Sequence, residues 1–362
     1  MTLMMNCENA KISKIFFDRA DQKLLDILDE VLTNPEARKS LQELFGSSFH
    51  PNGIKEMAAD RASRIVLAMF NLLDNVEPGE LIMNQRLSAL RTLRYEVIDN
   101  GGSPLRLNAA RVALQCMKDF LRVDPENRGT RLKLAHDLRM ALLGQPSFIR
   151  QQLKKYHLLE MPESWNQLTF DHHVHDGNTK GRKSPTHLIM DAWIKGIRNL
   201  KVIYYNFVPF QAAQELLEAA DVMGIQIRIG IEYTAIFRNR WIELICAPRG
   251  FNGNADYLAY LKSPRMAEHQ VQALEVIEYQ TKLVLHVLDD FNGNHLASLN
   301  SDFNLDLAPI THEEFLTAVS YGQPAVSHLA ELIYQHIRSA CEDKFKTMDV
   351  KSPEYLAICQ KM

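Results

Sequence analysis

Long apolar stretches are missing from this 362-residue chain; the longest runs, such as Ile65–Phe70 and Leu283–Leu285, fall far short of the ~20 residues that a membrane-spanning helix needs. No bilayer crossing is expected. The first residues, Met1–Met5 followed by Asn6, Cys7 and Glu8, contain neither a basic segment nor a sustained apolar one. No secretory signal is read there, and the cytoplasm is the expected compartment. An excess of one charge is also lacking: 41 Lys+Arg against 44 Asp+Glu leave a net charge of -3, so nothing global pulls the chain toward nucleic acid or an anionic membrane. A local basic patch stays open. Cysteine is sparse, with Cys7, Cys116, Cys246, Cys341 and Cys359 widely scattered and no Cys-x-x-Cys pair. That pattern fits reduced thiols rather than a disulfide framework or a thiolate zinc site. Low-complexity tracts and convincing repeats are absent, and no Gly-x-Ser-x-Gly elbow supports a serine triad.

What is present is an ordinary globular composition, 46% hydrophobic and 23% charged, in a chain long enough for about two or three folded units. From Asp21 to Leu32, the residues Leu24, Leu25, Ile27, Leu28, Val31 and Leu32 recur at helical spacing, with Asp21 placed as the N-cap. Asn34-Pro35 opens a second helix that stops at Gly46. Further helical segments follow at 54–75, 81–98, 104–122 (Ser103 as cap, Pro104 as first residue) and 129–143, which ends at Gly144. Residues 1–160 therefore read as an all-helical domain.

After Pro162 the pattern changes. Leu168–His173, Lys201–Phe207, Ile225–Ile231 and Ile242–Cys246 read as strands, and Ile225, Ile227, Ile229 and Ile231 alternate strictly. Ser184-Pro185 opens a helix toward Ile197, and Pro209 opens another toward Met223. Strand, helix, strand, helix, strand at this spacing predicts parallel βαβ units, so residues 161–362 read as an α/β domain. Thr311-His312-Glu313-Glu314 has the form of a capping box, and Ser327–Glu342 reads as a late helix.

The chemistry concentrates in Asp171-His172-His173-Val174-His175-Asp176-Gly177, where the first strand ends. Alternate strand residues point to one side, so His173 and His175 can present two imidazoles to one metal ion; the plain alternative is a histidine-rich polar loop. Ten of the thirteen histidines lie between His172 and His336, which makes the helical half a poor place for catalysis. Arg182, Lys183, Arg238, Arg240 and Arg249 either line a channel for an anion or are solvated surface. Asn252-Gly253-Asn254 and Asn292-Gly293-Asn294 read as glycine turns, Trp193 and Trp241 as core, and His328 as a structural histidine near a helix start.

In order along the chain come Asp171-x-His173-x-His175, Ser184-Pro185, Gly196, the strand Lys201–Phe207, Gly224-Ile225 and Gly230-Ile231-Glu232. Over residues 168–335 this order resembles the polymerase and histidinol phosphatase (PHP) superfamily of metal-dependent phosphoesterases. Leu285-His286-Val287-Leu288 is similar to that family's His-x-Leu segment, and Ile310–Ile333 to its helical insert. The resemblance implies a distorted, incomplete β/α barrel following the helical domain. It implies His173, His175 and Glu232 as metal ligands with His286 beside them, Glu232 and Asp176 as the catalytic carboxylates, and Zn, Mn or Fe as the divalent ion.

The chain also departs from the family. Tyr204-Tyr205-Asn206 stands where the family has Thr-Asp-His, and the late Ala-His-Pro and Asp-x-His motifs have no counterpart after Glu342. With Ser352-Pro353-Glu354 opening a helix that Met362 cuts off, the expectation is a fragment of a longer protein or a naturally incomplete site. The ligands suffice for at most one well-bound ion. Two readings follow: a hydrolase of a phosphoester, on a phosphorylated small molecule, a nucleotide or nucleic acid; or a degenerate PHP-like module that binds a ligand or a protein. The helical domain is the candidate docking scaffold for a protein partner.

Overall fold

The structure is a computed structural model that describes residues 17–34, 61–73, 80–99, 106–160, 170–181, 183–319 and 322–347. The helix from Asn34-Pro35 to Gly46, the residues Ser103, Pro104, Pro162 and Arg182, Cys7 and Cys359, and the Ser352-Pro353-Glu354 helix start lie outside them. Among the described residues six helices come first: α1 (Arg19–Thr33), α2 (Arg61–Leu73), α3 (Glu80–Leu93), which runs on into a π-helical turn at Arg94–Asp99, α4 (Arg106–Phe120), α5 (Arg128–Leu143) and α6 (Pro146–Lys155). The N-cap of α1 is Asp18 rather than Asp21. The Asp18 side chain accepts from the Asp21 N–H at 3.0 Å, and the Asp21 carboxylate returns to the Asp18 N–H at 3.0 Å. Asp21 is thus the far half of a capping box. It is also buried, where Arg139 Nε donates to it at 2.6 Å from α5. Gly144 closes α5 in the left-handed region, at φ 67°.

Then come β1 (Phe170–Val174), α7 (Pro185–Lys195), β2 (Asn199–Tyr205), α8 (Phe210–Met223), β3 (Gln226–Phe237) and β4 (Arg240–Cys246). The strands form one sheet in the order β1-β2-β3-β4, curled into half a barrel. The first three strands are parallel, as two helical crossovers of this length dictate. β4 runs antiparallel to β3, because only Arg238 and Asn239, both at positive φ, separate the two strands. A two-residue turn of that hand matches the twist of a hairpin.

Register sorts the side chains onto two faces. Leu200, Val202 and Tyr204 of β2 align with Ile227, Ile229 and Ile231 of β3 and pack inward on the helices, which is what the isoleucine alternation encodes. The opposite face carries Lys201, Ile203 and Tyr205 beside Arg228, Gly230 and Glu232. On the inward side one hydrophobic core runs without a break from Leu24 of α1 to Met266, so the packing crosses the change from helices to sheet near residue 160. A buried ion pair also crosses it: Arg86 of α3 donates through Nε and Nη2 to both oxygens of Glu215 in α8, at 2.9 and 2.7 Å.

The remaining described elements are helices: α9 (Asn254–Leu261), the 27-residue α10 (Pro264–Asp290), a π-helical turn at Phe291–His295, α11 (Leu296–Phe303), α12 (His312–Ala318) and α13 (Val326–Thr347). Asn292-Gly293-Asn294 is therefore part of a helical run and not a turn. The Asn292 side chain clamps both the N–H and the carbonyl of Ile310, holding the following segment against that run. Thr311 caps α12 in a reciprocal box with Glu314, as its motif indicates. Around Leu288, Phe315 and Leu329 this region builds a second, smaller core of its own.

Candidate metal centre

β1 holds the histidines in position through an irregularity. Asp171 pairs with Leu200 and Val174 with Val202, three steps against two, so one extra residue bulges out of β1. The Asp171 carboxylate accepts from the His173 N–H at 3.3 Å, a side-chain-to-backbone bond of the kind that favours such a kink. Val174 then shares the inward face with Val202 and packs on the core. His173 and His175 are thereby turned to the open face, where Tyr205 at the end of β2 stands beside Glu232 in the middle of β3.

On that face the nitrogens and the carboxylate converge. His173 Nε2 lies 3.0 Å from His175 Nε2 and 3.2 Å from Glu232 Oε2, and one ligand atom from each residue falls within 4.8 Å of the others. Glu232 is buried, and its Oε2 accepts no hydrogen bond among the described residues. An ionised carboxylate oxygen in that condition is costly without a cation. Two imidazoles and one carboxylate are also the donor types that suit Zn, Mn or Fe.

The surroundings keep His175 neutral. Burial, with the charges of Lys180 and His173, pushes its imidazole down to about 4, so at neutral pH its lone pair is available. Thr179 Oγ1 gives its single proton to the Asp176 carbonyl at 3.1 Å and stands 3.3 Å from His175 Nδ1. A hydrogen bond to the Ile203 backbone opposes the fall and also holds the ring, whose Nε2 lies 3.0 Å from His173 Nε2.

Asp176 is fully buried under the site. Its Oδ2 accepts from the Tyr204 hydroxyl at 2.5 Å, and its Oδ1 accepts from the Asn178 N–H at 2.8 Å and the Asn178 side-chain amide at 3.1 Å. Burial pushes its carboxyl up to about 6. The structure places it outside the converging group, with Oδ1 committed to the turn after His175 and Oδ2 to Tyr204 of β2. His286 is not brought there either; it lies on α10, exposed to solvent.

Lys180 and Thr179 border the group although no motif singled them out, and Tyr205 borders it from the stretch that departs from the family's second motif. Lys180 stands over the Tyr205 ring, 5.1 Å from its centroid, and hydrogen-bonds it; that bond, with Glu232 and Glu243 nearby, raises its pKa. The signal available in sequence was the run Gly177-Asn178-Thr179-Lys180-Gly181, a turn composition directly after the histidines. Of the basic residues considered, Lys183 pairs with Asp191, while Arg238, Arg240 and Arg249 are exposed away from the three ligands. Trp193 is core, but Trp241 is 73% exposed on β4, which corrects its assignment to the interior. Among the described residues no helix is long and apolar enough to cross a membrane. No family model and no curated protein matches the chain.

Proposed function

We propose that the chain is a PHP-like metallohydrolase that acts on a phosphoester through a single divalent ion, Zn, Mn or Fe, held by His173, His175 and Glu232. The observation that carries this reading is the buried Glu232 Oε2, without a hydrogen bond and 3.2 Å from His173 Nε2. An ion there would supply Lewis acidity and lower the pKa of water toward about 7. The protein's own groups supply the rest. His175 stays neutral, Glu232 contributes the compensating charge, and Lys180 offers a cation toward an anionic phosphate beside them. The half-open sheet face leaves the group accessible to substrate and water, since His173 remains exposed.

A specific observation favours a second reading, a PHP-like module that binds without turnover. At the end of β2, Asn206 adopts φ 65° and its amide reaches Gln280 at 3.4 Å, so this strand end adds no fourth ligand. Titration of Mn or Zn into metal-free protein, with the H173A/H175A double variant beside it, tests both readings. One bound ion lost in the variant, together with hydrolysis of bis-p-nitrophenyl phosphate, supports the hydrolase. Binding without hydrolysis supports the module, and no binding rejects both.

A further inference from the structure

Two guanidinium groups are tied to the C-terminal end of α7, and among the described residues no carboxylate pairs with either. Arg111 of α4 is fully buried; its Nε donates to the Ile194 carbonyl at 2.5 Å, and its Nη1 donates to the Leu159 carbonyl at 2.8 Å and the Asn108 side-chain oxygen at 2.9 Å. Arg198, four residues past Ile194, lies over the Trp193 ring, 5.5 Å from its centroid. Both cations therefore rest on adjacent residues of one helical turn. The last carbonyls of a helix attract a cation, which accounts for Arg111 Nε. They do not account for a second cation or for the donors left over: Arg111 Nη2 and Arg198 Nη1 are buried, and neither finds an acceptor among the described residues.

The acids close by are committed elsewhere. Asp191, one turn back on α7, takes Lys118 and Lys183, and Glu160, next to Leu159, takes Arg150. Burial and the charge of Arg198 pull the Arg111 guanidinium down to about 10, which leaves both groups cationic at neutral pH. Two buried like charges with orphaned N–H groups are costly unless an anion joins them. Guanidinium forks match the oxygens of a tetrahedral oxyanion, and a phosphate carries nearly two negative charges at neutral pH, where a single carboxylate carries one. We propose that Arg111 Nη2 and Arg198 Nη1 hold a phosphate group between them at the end of α7, carried by inorganic phosphate or by a phosphorylated small molecule. Arg198 is half-buried and gives the group a way in from solvent. It directly precedes β2, whereas Tyr205 and Glu232 of the metal centre stand at the other end of that strand, about 20 Å away. The site is separate from that centre and does not rest on the metal reading.

The test is phosphate uptake by the metal-free full chain, measured by isothermal titration with inorganic phosphate and with glycerol 2-phosphate, beside urea melts in phosphate and in chloride at equal ionic strength. Phosphate also stabilises proteins by exclusion from their surfaces, so the comparison with R198Q carries the result. One saturable site per chain is expected, with affinity about tenfold or more weaker in R198Q and intermediate in R198K, which keeps the charge and loses the fork. The R198Q midpoint should stay close to the parent's in chloride and fall behind it in phosphate, and H173A/H175A should take up phosphate as the parent does. Tighter binding of glycerol 2-phosphate identifies a phosphorylated small molecule as the occupant, and tighter binding of inorganic phosphate the free ion; both uphold the site. No saturable uptake, or equal uptake by parent and R198Q, overturns it. Uptake lost in H173A/H175A overturns it too, because the ion then sits at the metal centre. So does a midpoint of R198Q that drops as far in chloride as in phosphate, which confines Arg198 to its stacking on Trp193.

Discussion

Tyr204 donates its hydroxyl to Asp176 at 2.5 Å, joining the second strand to the turn that carries His175, with both residues fully buried. Tyr204→Phe leaves a buried carboxylate oxygen without that donor, at a cost of about 1–3 kcal/mol. Urea denaturation should register the loss, and Mn affinity should fall with it because the turn loses its tether. Unchanged Mn affinity in a destabilised variant would confine the bond to a structural role.

Gly181 closes the same turn, its N–H bonded to the Asp176 carbonyl at 2.9 Å. A Cβ at this position would lie 2.6 Å from the Asp176 carbonyl oxygen and 2.7 Å from its carbon, backbone atoms that cannot swing aside. Gly181→Ala is therefore expected to push the turn off the site and weaken Mn binding by about tenfold or more, displacement of a ligating group being severe in effect. Isothermal titration reads the affinity, and circular dichroism should show helix content close to that of the parent.

The Arg86–Glu215 pair makes an opposite demand, on the fold and not on the site. Arg86→Met strands the Glu215 carboxylate with the Thr186 N–H and hydroxyl as its remaining donors among the described residues, at 3.2 and 2.6 Å. A loss of about 3–5 kcal/mol is expected, and Arg86→Met with Glu215→Leu should recover most of it. Denaturant midpoints of the three proteins decide the matter; equal midpoints for parent and single variant would remove the pair from the account.

Burial pushes His187 from 6.5 down to about 4, with Lys118, Lys183 and Arg86 adding to the fall and Asp191 opposing it. Above pH 6.5 the folded and unfolded forms are both neutral and the residue contributes no pH dependence. Below 6.5 the unfolded chain takes up a proton that the folded one refuses, so stability falls until about pH 4. The parent should lose up to about 3 kcal/mol more than His187→Gln across that window in matched urea melts. Asp176, raised to about 6, acts in the opposite direction but is present in both proteins and cancels.

Much of this arrangement was written locally in the chain. Ser184, Gly196 and Gly224 bound their helices where the caps indicate, and the alternation in β3 fixes which face is inward. The pair His173 and His175 was legible because strand geometry places alternate residues together, whereas Glu232 entered only through the resemblance carried by the order of motifs. What escaped depended on distant partners. The hydroxyl that occupies Asp176 comes from a strand 28 residues away. The long α10 was obscured because Val271, Leu274, Val276, Tyr279, Leu283 and Val287 are all exposed, so its apolar residues do not mark a single buried stripe. Trp241 reads as interior by type alone; only the hairpin's projection puts it in water.

The unbroken core from Leu24 to Met266 ties events at the strand ends to helices far from them in sequence. A ligand gripped only by the folded form stabilises everything that must unfold to release it. Occupation of the three-residue group should therefore slow amide exchange in α1 and α4 as well as in the strands. The small cluster around Leu288 and Phe315 is packed apart from that core, and its exchange should stay nearly indifferent to the ligand.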